Sequence, residues 1–295
     1  MINSKDNKEV LVQRRLTVES LPPLREVIAA HELRAQKSLG QNFLLDMNIT
    51  DKIVREAMMR DGGSWVGVHA FEVGPGPGGL TRSLLKTDAQ KVTAIEFDSR
   101  AIAALGSLVE AAQDSLTLIE GDALKANISS LGDVPRVIVA NLPYNIATPL
   151  LIGWLKDIRK DARAYISMSL MFQKEVAERI FAAPNTKHYG RLSVISQWLC
   201  TTERLYDLPP SAFTPPPKVN STVVYLRPKP FDKVAPSFEQ VERVTASAFN
   251  QRRKMIRSSL KAYMNAIEEL GIDSTKRAEN LSVEDFLAIA AFEYD

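Results

Sequence analysis

Between about Trp65 and Lys160, short β-branched runs alternate with glycine-opened helical stretches, and this alternation constrains the fold more than any other feature of the chain. Strand, glycine turn, helix and strand in that order give a parallel sheet with crossover helices. The spacing predicts strands at 68–74, 91–98, 115–123 and 136–143, with helices at 75–86, 99–112 and 148–160. A fifth strand is expected at 162–172, with helical material at 173–180 and 190–200. The β-branched run at 220–228, ended by Pro228, then closes the sheet. Beyond Pro230 only helices are expected, at 236–271 and 282–295. A 295-residue chain lies near the roughly 250 to 300 residues at which one core stops growing. We therefore expect a loosely ordered tail over 1–21, an α/β domain over 22–229 and a small all-helical domain over 230–295.

Three motifs fall at the carboxyl ends of the expected strands. In the first, Gly74, Gly76 and Gly79 match G-x-G-x-x-G, and Glu96 lies twenty residues past Gly76. That pattern admits a nicotinamide nucleotide. Pro75 and Pro77, however, remove two backbone N–H donors from a loop that would otherwise cradle a pyrophosphate. A ligand without phosphates loses nothing by this. S-adenosyl-L-methionine is such a ligand, with ribose hydroxyls suited to Glu96 and an amino acid part able to approach bare glycine backbone. The second motif is Gly121-Asp122-Ala123, where the Asp122 carboxylate can accept from an adenine amino group. By itself such a tripeptide is usually just a turn; its place after the glycine loop and the strand-end acid gives it weight.

The third motif, Asn141-Leu142-Pro143-Tyr144, carries the chemistry. The nitrogen of an adenine or an amide is a poor nucleophile because its lone pair is delocalised. Two acceptors on its N–H groups, the Asn141 side-chain oxygen and the Leu142 carbonyl, favour the pyramidal form that exposes the pair. Pro143 stiffens the turn, and Tyr144 offers a face for a planar base. A sulfonium is already a good leaving group, so neither a metal nor a strong base is required.

Taken in order, GQNFLLD at 40–46, EVGPGPGGLT, AIEFD, EGDAL, VIVANLPYNIATPLL, YGRLSV and FTPPPKVNSTVV resemble the ribosomal RNA adenine dimethyltransferase family, in its bacterial small-subunit branch. The likeness runs from about Pro22 to the C-terminal helices. It implies a Rossmann-like S-adenosylmethionine-dependent sheet with a small helical domain. The implied reaction places two methyl groups on N6 of each of two adjacent adenosines near the 3′ end of 16S rRNA, within the 30S subunit. Carried over by position, the family's cofactor contacts fall on Asn42, Leu44, Gly74, Glu96, Asp122 and Asn141, with no metal. The resemblance also places Phe213 near the target base, where its ring either covers the face opposite Tyr144 or serves only to anchor the proline-rich loop. A monomeric cytoplasmic enzyme with a role in subunit maturation is implied. The alternatives are a large-subunit rRNA adenine methyltransferase, a protein-glutamine methyltransferase, and an assembly factor with a vestigial site.

The net charge of +2 does not announce a polyanionic partner. Locally, six basic and no acidic residues lie between Arg243 and Lys261, and Arg253, Arg257 and Lys261 recur every fourth position, as along one helix face. One cysteine, Cys200, and three scattered histidines, His31, His69 and His188, exclude a disulfide framework and show no metal-ligand spacing. The longest uncharged stretch, 137–155, is too polar and proline-broken to span a membrane. Cys200 is expected to be buried, and the histidines are given no role.

Overall fold

The computed structural model describes residues 4–36, 39–132, 135–231 and 236–292. Its main sheet contains β2 (His69–Val73), β3 (Lys91–Glu96), β4 (Leu116–Glu120), β5 (Arg136–Asn141), β6 (Ser167–Gln173), β7 (Cys200–Leu208) and β9 (Ser221–Pro228), in the order β4-β3-β2-β5-β6-β9-β7. The pairs from β4 to β6 are parallel, and β9 is antiparallel to both β6 and β7. A two-stranded ribbon joins β1 (Phe43–Leu44) to β8 (Phe213–Thr214). From β2 the chain proceeds outward through β3 and β4 and then returns to the other side of β2 with β5. The reversal opens a crevice at the strand carboxyl ends, where ligands of such sheets bind.

Helices α1 (Ser4–Glu19), α2 (Leu24–Ala30), α3 (Met47–Arg60), α4 (Gly79–Leu85), α5 (Ser99–Ala104) and α6 (Gly106–Ala112) precede β4. After β5 come α7 (Ala147–Lys160), α8 (Lys174–Phe181) and α9 (Arg191–Leu199), and after β9 come α10 (Phe238–Asn250), α11 (Ile256–Ser259), α12 (Met264–Glu269) and α13 (Val283–Ala291). Strand alternation sends side chains to opposite faces. Thus Phe71, Val73 and Ile95 join one buried cluster, and Ala70, Val92 and Ala94 join another with α3, α4 and α6. The first cluster continues without interruption into Val241, Ile256, Phe286 and Ile289, so the C-terminal helices pack on the core of the sheet itself. No helix of the described residues is long and apolar enough to cross a membrane.

Three expectations are corrected. The tail expected over 1–21 is helical from Ser4, and Val18 is buried. The Arg14 guanidinium, also buried, donates to the carbonyls of Thr87 and Ala89 at 2.6 and 3.2 Å. Because α1 is fastened by an arginine and leaves Val10, Val12 and Leu16 exposed, it has no apolar stripe to read. Strand β9 does not close the sheet: it lies inside, and β7 forms the edge. An edge strand with partly exposed faces tolerates Glu203, Arg204 and Asp207, which hid it in the sequence. Finally, the single helix expected over 236–271 ends at Asn250. Met255 bridges Arg277, the Ile256 and Arg257 N–H groups donate to Lys276 and Ser274, and burial of Ile256 and Leu260 holds the chain there. Arg253 therefore sits in a turn, Arg257 on α11 and Lys261 in a 3-10 turn, and the basic stripe does not follow one helix face. All three remain exposed. The expected end of the last helix, 293–295, lies outside the described residues.

Candidate active site

The crevice is walled by the 39–44 segment, the glycine loop after β2, the ends of β3 and β4, and the loop after β5. Gly74 and Gly76 adopt φ of +71° and +53°. Their positive φ strains any side chain, and a Cβ would lie 3.3 Å from Pro143 at Gly74, a tight contact, and 2.9 Å from the Phe43 ring at Gly76, a clash. The glycine loop thus packs directly against both the Asn141–Tyr144 loop and the GQNFL segment.

Glu96, at the end of β3, is 6% exposed and fixed by three backbone donors. Phe97 and Asp98 donate to Oε1 at 2.8 and 2.9 Å, and Gly76 donates to Oε2 at 3.1 Å. Burial raises its pKa, and these donors oppose the rise. About one of a carboxylate's four acceptor directions is left for a ligand hydroxyl. Glu72, on β2, is fully enclosed, and its Oε2 accepts from Thr81 Oγ1 at 2.6 Å. Burial, reinforced by the nearby Glu96, pushes its carboxyl up to about 8. Asp122 lines the crevice after β4, and its Oδ1 accepts from the Leu124 N–H at 3.0 Å.

Asn141 is the last residue of β5. Its Nδ2 donates to the Asn42 carbonyl at 2.9 Å. A carbonyl can only accept, so this bond identifies the nitrogen end of the amide and leaves Oδ1 as its acceptor. The Leu142 side chain is buried in the core, while its residue lines the crevice. Pro143 begins the turn, with its carbonyl accepting from the Ile146 N–H at 3.1 Å. The half-buried Tyr144 ring is tethered through its hydroxyl to Ser221 Oγ at 2.6 Å, and burial raises its pKa. Asn42 and Leu44 also line the crevice.

The cofactor and acceptor residues expected from the sequence thus meet in one crevice; Phe213 does not join them. Its ring is 3% exposed, packed in the core cluster with Leu44, and its backbone pairs with Leu44 in the ribbon. A ring so enclosed presents no face to a base. Phe213 instead anchors the loop that it begins, which corrects the stacking role considered for it. Sequence reasoning missed Gln41, Glu72 with Thr81, and Ser221. Only Glu72 carried a signal, as an acid inside a buried strand. Cys200 is 1% exposed, with burial pushing its thiol up to about 12. His69 is buried against Phe71, with a ring nitrogen 2.8 Å from Thr93 Oγ1, and His188 pairs with Glu178.

A sequence profile described as ribosomal RNA adenine dimethylase matches residues 32–294. The chain belongs to that family. The matched span begins after α2, so it holds every crevice residue of this dimethylase family member and leaves α1 outside. Among its relatives, ribosomal RNA small subunit methyltransferase A of Rhodospirillum rubrum is 53% identical over 275 residues, covering 92% of each chain. The protein of the same name from Agrobacterium fabrum is 50% identical over 278 residues, covering 92% of this chain and 98% of its own. Among solved structures, a dimethyladenosine transferase from Plasmodium falciparum superposes with a TM-score of 0.70 at 27% identity, over 83% of this chain and 94% of that one. The 23S rRNA methyltransferase ErmE, at 23% identity and TM-score 0.61 over 84% of this chain and 98% of its own, shares the fold.

Proposed function

We propose that the chain transfers methyl groups from S-adenosylmethionine to N6 of two adjacent adenosines near the 3′ end of 16S rRNA in the 30S subunit. The observation that carries this reading is the Asn141–Tyr144 loop at the end of β5, fixed on one side by Asn42 and on the other by Ser221. It stands beside a crevice suited to a phosphate-free adenosyl ligand, lined by the Gly74–Gly76 loop and by the oriented carboxylate of Glu96. Asn42, Leu44, Gly74, Glu96, Asp122 and Asn141 are its proposed cofactor contacts. Bound there, S-adenosylmethionine supplies an electrophilic methyl group on a positively charged sulfur.

The protein's part is to make adenine N6 nucleophilic and to aim it. In the first transfer Asn141 Oδ1 and the Leu142 carbonyl accept from the two N6–H groups and favour the pyramidal nitrogen whose lone pair is free to attack; in the second, one of them accepts from the N6–H that remains. Because the Asn141 amide is set by its bond to Asn42 before the substrate arrives, little reorganisation of that acceptor is left for the reacting complex. The Tyr144 ring, tethered by its hydroxyl, gives the base a surface to stack on. Once N6 has bonded to the methyl carbon and sulfur has taken the electron pair of the broken bond, the nitrogen carries a positive charge and loses a proton to solvent. An adenine can reach this loop only when splayed from its stack. The relatives named as small-subunit methyltransferases favour that subunit over the large one. We assign the chemistry to residues 22–229 and part of the RNA contact to the exposed basic residues of 230–295.

Removing an acceptor that matters most in the transition state should slow methyl transfer far more than it weakens RNA binding. Replacing Asn141 with Ala is therefore expected to lower the single-turnover rate by about a hundredfold or more, with RNA affinity changed by less than about threefold. A near-normal single-turnover rate would remove the acceptor mechanism.

A further inference from the structure

The 39–44 segment forms one wall of the crevice although it comes from outside the sheet, so something must hold it in place. On the Asn141 side it is held through the Asn42 carbonyl, and through Phe43 and Leu44 it pairs with β8. On the opposite side the tie is Gln41, a residue that sequence motifs left without a role. Its Nε2 donates to Asp98 Oδ2 at 3.1 Å, and its Oε1 accepts from the Gln36 N–H at 2.9 Å. The Gln41 N–H also returns to the Gln36 carbonyl at 3.3 Å. Both ends of one amide are thus engaged, one by the Gln36 backbone and one by the Asp98 carboxylate.

Asp98 is a rigid anchor. It is 7% exposed, caps α5 through the Arg100 N–H at 3.1 Å and pairs with the Arg100 guanidinium at 2.6 Å. Its own N–H donates to Glu96 Oε1 at 2.9 Å. Gln41 therefore ties the wall to the residue whose backbone orients Glu96.

We propose that Gln41 is a positioning residue for the methyl donor: by bridging to Asp98 it holds the 39–44 wall at the fixed distance from Glu96 that the adenosyl part requires. This rests on the reading of the crevice as the S-adenosylmethionine site. Gln41 acts through Asn42, Leu44 and Glu96, not by touching the reacting atoms. Its contribution belongs to cofactor affinity, with little effect on the rate once cofactor saturates.

The test uses the full chain, with S-adenosylmethionine binding measured by calorimetry in the absence of RNA. Gln41→Ala removes the bridge, and Gln41→Glu sets two carboxylates against each other. Each is expected to weaken binding about tenfold, the effect of one hydrogen bond to a charged group. Combining Gln41→Glu with Asp98→Asn exchanges amide and carboxylate across the same contact; asparagine still caps α5 through Oδ1, while its Nδ2 gives up the bond from Arg100 Nη2. The double variant should bind within about threefold of the unsubstituted protein, giving a clear coupling in the double-mutant cycle. Saturating single-turnover rates of Gln41→Ala should remain within about threefold of normal. Thermal unfolding is followed for every variant, and Gln41→Ala keeps the test readable if Gln41→Glu folds poorly. Unchanged affinity in Gln41→Ala, or a double variant no better than Gln41→Glu, would overturn the proposal. If neither the unsubstituted protein nor Gln41→Ala gave binding heat, the reading of the crevice would fall, and the proposal with it.

Discussion

Glu72 and Glu96 belong to one crevice, yet their surroundings set them apart: Glu96 accepts three backbone N–H bonds, whereas Glu72 has the Thr81 hydroxyl. With its carboxyl pushed up to about 8, Glu72 holds a proton in the fold at pH values where the unfolded chain, ionising near the ordinary value of about 4.3, has lost it. Over that window the native state binds more protons. Its contribution to stability is complete below the unfolded value and is lost as pH rises through about 8, by at most about 1.4 kcal/mol per pH unit. Glu72→Gln stays neutral and keeps an acceptor for Thr81. Denaturant unfolding of the variant between about pH 6 and about pH 8 should therefore show a flatter decline than the unsubstituted protein. Equal slopes would mean that Glu72 is already ionised in the fold. At this scale residue type and strand-end position singled out Asn141, Tyr144, Glu96 and Asp122, and the fold brings all four to one crevice. Ser221 and Gln41 stayed hidden because their roles depend on contacts 77 and 57 residues away.

Helix α1 shows how a polar side chain can help to hold an element on the core. Arg14 makes its bonds to Thr87 and Ala89 in a buried setting, and burial lowers its pKa. Arg14→Ala leaves those carbonyls without their donor, and we expect a loss of about 2 kcal/mol in denaturant unfolding. A loss below about 0.5 kcal/mol, the range of an ordinary surface change, would show α1 to be a passive appendage. The basic residues after α10 make the complementary case. Arg252 spends its guanidinium on the Lys187 and Tyr189 carbonyls and on Glu279, which fastens the turn after α10 to the 187–189 loop. Arg253, Arg257 and Lys261 stay exposed but on three different local structures. Replacing those three with Gln should weaken binding to the ribosomal subunit and flatten its salt dependence by roughly 0.7 to 0.9 for each phosphate no longer neutralised, leaving cofactor affinity unchanged. An unchanged slope would move the RNA surface elsewhere. Composition and spacing located these charges; the break that scatters them arises from pairing with 274–277, a tertiary event that no local periodicity records.

For the molecule as a whole, one topological reversal brings the motifs together. Strands β2, β3, β4 and β5 each lead into residues of the crevice, and the sheet order places those four ends side by side. The alternation of strands and helices made this half of the fold legible, because buried parallel strands read as apolar runs. The antiparallel half was less legible: β7 is polar because it is an edge, and the insertion of β9 beside β6 is fixed by long-range pairing. The central claim, that this crevice dimethylates adenosine of the small ribosomal subunit, is tested most directly by one measurement. Separately purified, unmethylated 30S and 50S subunits are incubated with the protein and methyl-labelled S-adenosylmethionine, and the RNA is digested to nucleosides. Label is expected in N6,N6-dimethyladenosine from the 30S sample, with little in 50S. Label found chiefly in 50S RNA, or in ribosomal protein, would contradict the account.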